Sequence, residues 1–518
     1  MDITSLPYSD TGNFTKLFLD YISEDNRLKI FYNSFPNKEN IRQLIDQRNF
    51  PDTNRKVLHK ALKEQYTGLE ISPLTEKNIE GLQNDNTFTI TTGHQLNLFT
   101  GPLYFVYKIV TVINACKEMK EAYPDYNFVP VYWMATEDHD FEEINYFRLF
   151  GEKYSWNTSQ TGAVGRFLTE DMEDLLKNLP LSNTLFHTAY RKEKTLAGAV
   201  RRYVNELFGK YGVVVLDADH KELKQLFKPI IHDDLMHHAA NRMVSKCNAG
   251  LNDLGYGAQV FAREINFFYL EGNIRNRIVQ EGNNYSVLDT DIHFSRDEMI
   301  QCIQESPEKF SPNVILRPLY QEIILPNLAY VGGPAEMVYW LQLKYIFDYY
   351  KNPFPALLPR NFALTIPEPE RKKIEKTKLT DKELFLPLHD LTKKYTKDNA
   401  LHELSVENEL LEMKGIFDKL HEKGVAIDST LGPMIRAEEK RHSNSLDKIE
   451  KKMLRAEKRH LSDKIRQIEA IKNSLFPGGG LQERSDNLLN FYAQHPDFID
   501  VLVKTFDPFH FEFYILKY

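Results

Sequence analysis

The run NFVPVYWMAT (127–136) is apolar at nearly every position and breaks at once into Glu137, Asp138, His139 and Asp140. A strand wetted on one face alternates polar and apolar residues. A run without alternation belongs to a strand covered on both faces, the condition of a parallel sheet flanked by helices. Upstream, TFTITTGHQ (87–95) reads as a second strand entering a glycine turn, followed by an apolar helix beginning near Pro102, where a missing N–H costs nothing in a first turn. Strand, turn, helix, strand, polar turn, helix is a βαβ pattern. YGVVVLDAD (211–219) and the helical HKELKQLFKPIIHD repeat it, and QVFAREINFFYLEGNIRNRIVQEG (259–282) reads as a hairpin turning at its GN pair. NVILRPLYQEIILPNLAYVGGPAEMVYWLQLKYIF (313–347) begins as a strand and passes a GGP turn into an aromatic helix. PFPALLPRNFALTI (353–366) is the last strand-like piece. Residues 1–80 are polar and helical in spacing. The predicted fold class is α/β, with this texture ending near residue 370.

Beyond that point the pattern changes. From Arg436 to Leu475 there is no Gly or Pro and about half the residues are charged, while Leu454, Leu461, Ile468 and Leu475 recur every seven positions. Such a seam predicts a long antiparallel helical hairpin, with 399–423 as partner and Gly424–Pro433 near the turn. FPGGGLQE (476–483) stops the helix, and an aromatic tail follows that would aggregate if left in water. The expected division is 1–370, 371–475 and 476–518.

Composition narrows the function classes. A net charge of −8 is unlike that of a protein wrapped on nucleic acid. Cys116, Cys247 and Cys302 stand far apart with no CxxC, which excludes a disulfide scaffold or a Cys-rich zinc domain. The start MDITSLPYSD lacks the basic and apolar regions of a secretory leader, and no stretch of about 18 uncharged apolar residues could span a membrane. The expectation is a cytoplasmic protein without membrane or nucleic-acid partners.

Three segments carry chemistry. In TTGHQLNLFTGP (91–102) Gly93 permits close approach of a ligand, and Thr92, His94, Gln95 and Asn97 supply donors at a strand-to-helix turn, where helix N–H groups favour anions. His94 is read as a possible cation. The segment has neither GxGxxG nor GxxxxGK[ST]. In ATEDHDFEEIN (135–145) Glu137, Asp138 and Asp140 suit an ammonium, or magnesium through water, and His139 suits a general base. In the third, Arg317 follows an apolar stretch as a grip for carboxylate or phosphate. Gln321 and Glu322 lie one turn on, and Gly332, Gly333 and Glu336 mark a tight loop opening a helix. Each has a plain structural alternative: a βα turn, a dipole-favoured helix start, or Arg317 and Glu322 pairing with each other. Asp217, Asp219 and His220 fit a helix cap as well as a ligand site. His232, Asp233, Asp234, His237 and His238 lack HExxH spacing and read as a solvated helix face.

TTGHQLNLFTGPLYFVYKIVT, PVYWMATEDHDFEEIN, LRPLYQEIILPNLAYVGGPAEMVYWLQLK and LFPGGGLQER, in that order, resemble the cysteine-adding enzymes of bacillithiol biosynthesis, the BshC family. The first segment also resembles the signature turn of class I aminoacyl-tRNA synthetases and nucleotidyltransferases. The family resemblance implies a Rossmann-like core with inserted segments, a projecting antiparallel coiled coil and a homodimer. It implies a ligase that joins L-cysteine to the amino group of glucosaminyl malate. Forming that amide needs an activated carboxyl, most simply an acyl-adenylate or acyl-phosphate, hence ATP or another nucleotide, and Mg2+ beside it. On this reading Asp138, His139 and Asp140 are catalytic. Relatives often carry Gln at the place of His94, which makes His94 a binding residue with substitutes. Two alternatives stay open: a synthetase-like adenylating enzyme acting on another substrate, RNA included, and a non-catalytic coiled-coil scaffold.

Overall fold

A computed structural model describes residues 2–180 and 184–518. Its centre is a five-stranded parallel sheet of β1 (Thr87–His94), β2 (Asn127–Met134), β3 (Val214–Asp217), β4 (Asn327–Gly332) and β5 (Ala356–Pro359). The strand order is β5-β4-β1-β2-β3. β1 and β2 pair along their whole length, from Thr87 beside Asn127 to His94 beside Met134. Nearly every residue of β1, β2, β4 and β5 is buried, which is why these segments show no alternation. The chain builds β2 and β3 on one side of β1, then returns to place β4 and β5 on the other. That reversal opens a crevice between the carboxyl ends of β1 and β4, where open α/β sheets bind ligands. The expected Rossmann-like α/β class is therefore present.

Several local readings need correction. The helix after β1, α1 (Tyr104–Ala122), starts two residues beyond Pro102, which instead bridges to Asn487. Between them Phe99, Thr100 and Gly101 all have positive φ, so the turn at Gly93–Gln95 does not open directly into a helix N-terminus. EDHDFEEIN forms only a one-turn helix, Phe141–Ile144. NVIL is not a strand: Arg317 opens a helix, α2 (Arg317–Ile324), and the strand of this segment is β4, followed across Gly333 by α3 (Pro334–Leu341). PFPALLPRNFALTI is two strands in two sheets. Ala356–Pro359 is β5, whereas Phe362–Ile366 pairs in parallel with Glu512–Lys517, which also pairs antiparallel with Asp2–Pro7. The GN hairpin forms as read, with Phe267–Glu271 against Ile274–Glu281.

The C-terminal helices are α4 (Glu407–Ile427), α5 (Leu431–His460) and α6 (Ser462–Leu475). α4 and the start of α5 form the antiparallel hairpin, turning at residues 428–430. Gly424 lets them touch: a Cβ there would lie 2.4 Å from Ile435 Cδ1. Asp418 pairs with Arg436 at 2.6 Å across the hairpin. The heptad seam has a different partner from the one expected. Ile465, Ile468, Ile471 and Leu475 are buried against the helices Glu368–Thr377 and Leu388–Asp398, and Lys472 Nζ donates to Leu384 O at 2.6 Å. Among the described residues no helix is long and apolar enough to cross a membrane.

Candidate active site

A cavity of about 660 Å³ sits at the carboxyl edge of the sheet, bounded by the ends of β1, β2 and β4, the start of α2 and the hairpin of Phe268 and Arg275. Its volume is in the range of small-molecule sites. Eight of the predicted residues line it, counting Glu336: Gly93, His94, Gln95, Glu137, Asp138 and His139, with Arg317 opposite.

The acidic wall begins where β2 ends. Gln95 Nε2 donates to Asp138 Oδ2 at 2.9 Å and to Glu143 Oε2 at 2.7 Å, tying the two segments together. Burial alone would raise the Asp138 carboxyl. Hydrogen bonds from the His139 backbone N–H and from Gln95, with the Arg275 charge, outweigh it and hold this group well below the usual carboxylate range. Arg275 Nη1 donates to His139 Nδ1 at 2.6 Å. A guanidinium can only donate, so Nδ1 is the acceptor and the ring offers an Nε2–H to the cavity. With Nδ1 accepting, the ring's proton sits on Nε2. Glu137 differs from its neighbour. Its carboxyl is pushed up to about 7 by burial, against the opposing charge of Lys224, whose Nζ donates to Oε1 at 2.5 Å.

The cationic wall lies across the cavity. The Arg317 guanidinium is 5.7 Å from the ring centres of both Trp133 and Tyr330. Its hydrogen-bond partners are the Gln321 amide oxygen at 3.1 Å and Tyr339, and among the described residues no carboxylate forms an ion pair with it. A Cβ on Gly93 would come 3.5 Å from both Arg317 Nη1 and Tyr330 Oη, so the glycine keeps the approach to this cation open. Beneath the turn, the buried Lys108 of α1 donates to Gly93 O at 2.9 Å and pairs with Glu336 Oε2 at 2.6 Å. Glu336 also accepts from Gly333 N at 2.8 Å, capping α3, and from Tyr330 Oη at 2.8 Å. The expectation of a cationic His94 fails here. Burial and the nearby Lys108 push His94 down to about 3, so it is neutral, with its Nε2 buried and unpartnered.

Other predicted residues serve elsewhere. Thr92 donates to Val331 O at 2.8 Å between two strands. Asp140 is exposed at the start of the one-turn helix and does not line the cavity. Gln321 and Glu322 are buried residues of α2 itself and do not line the cavity: Glu322 takes bonds from Gln321 at 2.9 Å and Asn327 at 2.7 Å and pairs with Arg48, not Arg317, at 3.5 Å. Gly332 and Gly333 shape the turn into α3 without lining the cavity. Asn97 lines a smaller adjoining cavity of about 350 Å³. Asp219 pairs with Arg166 at 2.8 Å. Among the described residues no group of three or more His, Cys, Asp or Glu side chains could hold a metal ion, the cluster around His232 included.

The bacillithiol biosynthesis BshC model for an N-terminal Rossmann-like domain matches residues 1–361, and the model for its C-terminal coiled-coil domain matches 363–518. The chain belongs to the BshC family. A "Putative cysteine ligase BshC" of Flavobacterium psychrophilum is 46% identical over the full length of both chains. That of Flavobacterium johnsoniae is 42% identical, again over both full lengths, and that of Cytophaga hutchinsonii is 39% identical over all of this chain and 99% of the relative. The crystal structure of a "putative arginyl t-RNA synthetase" from Campylobacter jejuni matches over 83% of this chain and 96% of its own. At 8% identity and a TM-score of 0.22 it carries no argument.

Sequence reasoning missed three residues of this BshC-family site. Lys108 had a signal, being the lone charge in the apolar first half of α1. Arg275 sits within the GN hairpin with no motif around it. Glu143 was present in the acidic segment but gave no reason to be preferred over its neighbours.

Proposed function

We propose that the chain is a cysteine ligase, forming an amide between the carboxyl of L-cysteine and the amino group of glucosaminyl malate in the last step of bacillithiol biosynthesis. The observation that carries this reading is a single crevice with a carboxylate wall facing Arg317, which among the described residues has no carboxylate ion-pair partner, in a member of the BshC family. Asp138 and Glu143 hold the acceptor's ammonium. Glu137, poised near neutrality, takes its proton so that a free amine attacks. His139 Nε2–H and Arg317 stabilise negative charge on the reacting carboxyl.

The cavity volume, the unpaired Arg317 and the neutral, unpartnered His94 fit a nucleotide, with Arg317 nearest its anionic groups. When bound, the nucleotide supplies activation of the cysteine carboxyl. Among the described residues the side chains do not form a cage for Mg2+, and no step is assigned to it. Exposed Leu411, Ile416, Leu420 and Ile427 on α4 support a homodimer through the helical hairpin, and we place the enzyme in the cytoplasm.

The test is incubation of purified protein with glucosaminyl malate, L-cysteine, Mg2+ and ATP, with mass-spectrometric detection of bacillithiol. Product that depends on the nucleotide supports the reading. Binding of neither substrate and no product would favour the scaffold instead.

A further inference from the structure

The smaller cavity shares its wall with the larger one. Gln95 and Glu143 line both. Its own walls are Asn97, Tyr104, Arg148, Arg484 and Ser485. Arg148 comes from the short hairpin Tyr146–Leu149 with Glu152–Ser155. Arg484 comes from the LQER segment that follows the glycine break. Among the described residues neither arginine forms an ion pair, and the contact of the Arg484 side chain is a cation–π approach, 5.9 Å from the Tyr104 ring centre.

The site is built, not incidental. Gln482 exchanges two bonds with the backbone of Thr365, each at 2.9 Å, and Glu483 is buried against Arg360. Asn487 Nδ2 donates to Phe99 O at 2.8 Å and Gly101 O at 2.7 Å. These anchors on either side fix where Arg484 enters. Asn487 also holds the strained turn in which Phe99, Thr100 and Gly101 all have positive φ. A Cβ on Gly101 would fall 2.5 Å from Asn97 Cβ, so the glycine makes room for Asn97. That side chain is 6% exposed and its Oδ1 has no partner. Two exposed arginines, neither in an ion pair among the described residues, line this cavity and give it a cationic wall.

We infer that this smaller cavity is the subsite for a dicarboxylate, taking the malyl end of the acceptor while its amine reaches past Gln95 and Glu143 to Asp138. This rests on the function proposed above. Each arginine matches the fork of one carboxylate.

The test is isothermal titration of the full chain with L-malate, L-lactate and inorganic phosphate, repeated for Arg148→Gln and Arg484→Gln. Malate should bind more tightly than lactate, and each variant should weaken it by about tenfold while leaving L-cysteine binding unchanged. The Arg148 side chain is exposed, so its variant reports even if Arg484→Gln loosens the tail, which a melting curve shows. Malate binding no better than lactate, equal binding in both variants, or a preference for phosphate would each overturn the subsite. Arginine-dependent malate binding by a protein that makes no bacillithiol would sink the ligase reading and leave the subsite standing. Normal bacillithiol production with an unchanged KM for the acceptor in both variants would do the reverse.

Discussion

Asp138 and Glu137 are adjacent in sequence and opposite in character. Asp138 gains more from His139, Gln95 and Arg275 than burial takes away, and stays ionised; Glu137 faces Lys224 but is dominated by desolvation. Such a split assigns separate tasks to two carboxylates. Asp138→Asn keeps the shape and removes the charge, so turnover should fall by about a hundredfold with the melting temperature nearly unchanged; a large loss of melting temperature would make Asp138 a structural residue. For Glu137 the folded-state pKa is raised. Its stabilising contribution is therefore full below the ordinary carboxylate range and lost as pH rises through about 7. Asp234 and Asp486, also raised to about 7, act in the same direction. Melting temperature should fall between about pH 5 and 8, with a shallower slope in Glu137→Gln. Activity runs the other way: kcat/KM should climb through about pH 7 as Glu137 ionises, and that limb should vanish in Glu137→Gln. An unchanged limb would assign the base to another group.

At the scale of elements, α1 and α3 meet under the β1 turn through one ion pair, Lys108 with Glu336, the lysine 3% exposed and Gly93 O its second acceptor. Removing one member leaves the other buried and uncompensated. Lys108→Met should cost about 3 kcal/mol in urea unfolding, and Lys108→Met with Glu336→Gln together should recover part of it. Additive losses would mean the pair is not coupled. This is also where the sequence was most and least legible. The apolar runs of β1 and β2 announced covered parallel strands because burial on both faces removes alternation. NVIL misled for the converse reason: an apolar stretch of three residues, Val314 to Leu316, is too short to tell a strand from the loop entering α2. Arg275 could not be found, since nothing in a hairpin's own pattern reveals which distant ring it will touch. The seam from Leu454 to Leu475 announced an apolar face but not its partner. Heptads fix the face a helix buries, and the helices 368–377 and 388–398 compete for it with α4.

Across the whole molecule, the reversal of strand order between β1 and β4 places the ends of three sequence-distant segments around one cavity. A second cavity of about 620 Å³ lies at the opposite edge of the sheet, lined by Lys77, Lys117 and Lys120, and gathers none of the predicted site residues. Size alone would not choose between them; the facing acidic and cationic walls do. The helical hairpin leaves Leu411 63% and Ile416 58% exposed, more apolar surface than a free arm needs. Sedimentation of the wild type should show a dimer, and Leu411→Glu with Ile416→Glu should shift it to monomer; a wild-type monomer would leave those residues without a second copy to cover them.

On the function proposed above, this cavity joins an activated cysteine carboxyl to an amine. The most direct measurement uses L-cysteine labelled with oxygen-18 in both carboxyl oxygens, with ATP and glucosaminyl malate. Bacillithiol should retain one labelled oxygen in its new amide carbonyl, and the other should appear in AMP or in inorganic phosphate. Label retained in cysteine with no amide formed, or amide formed with no label in any phosphorus product, would contradict the account.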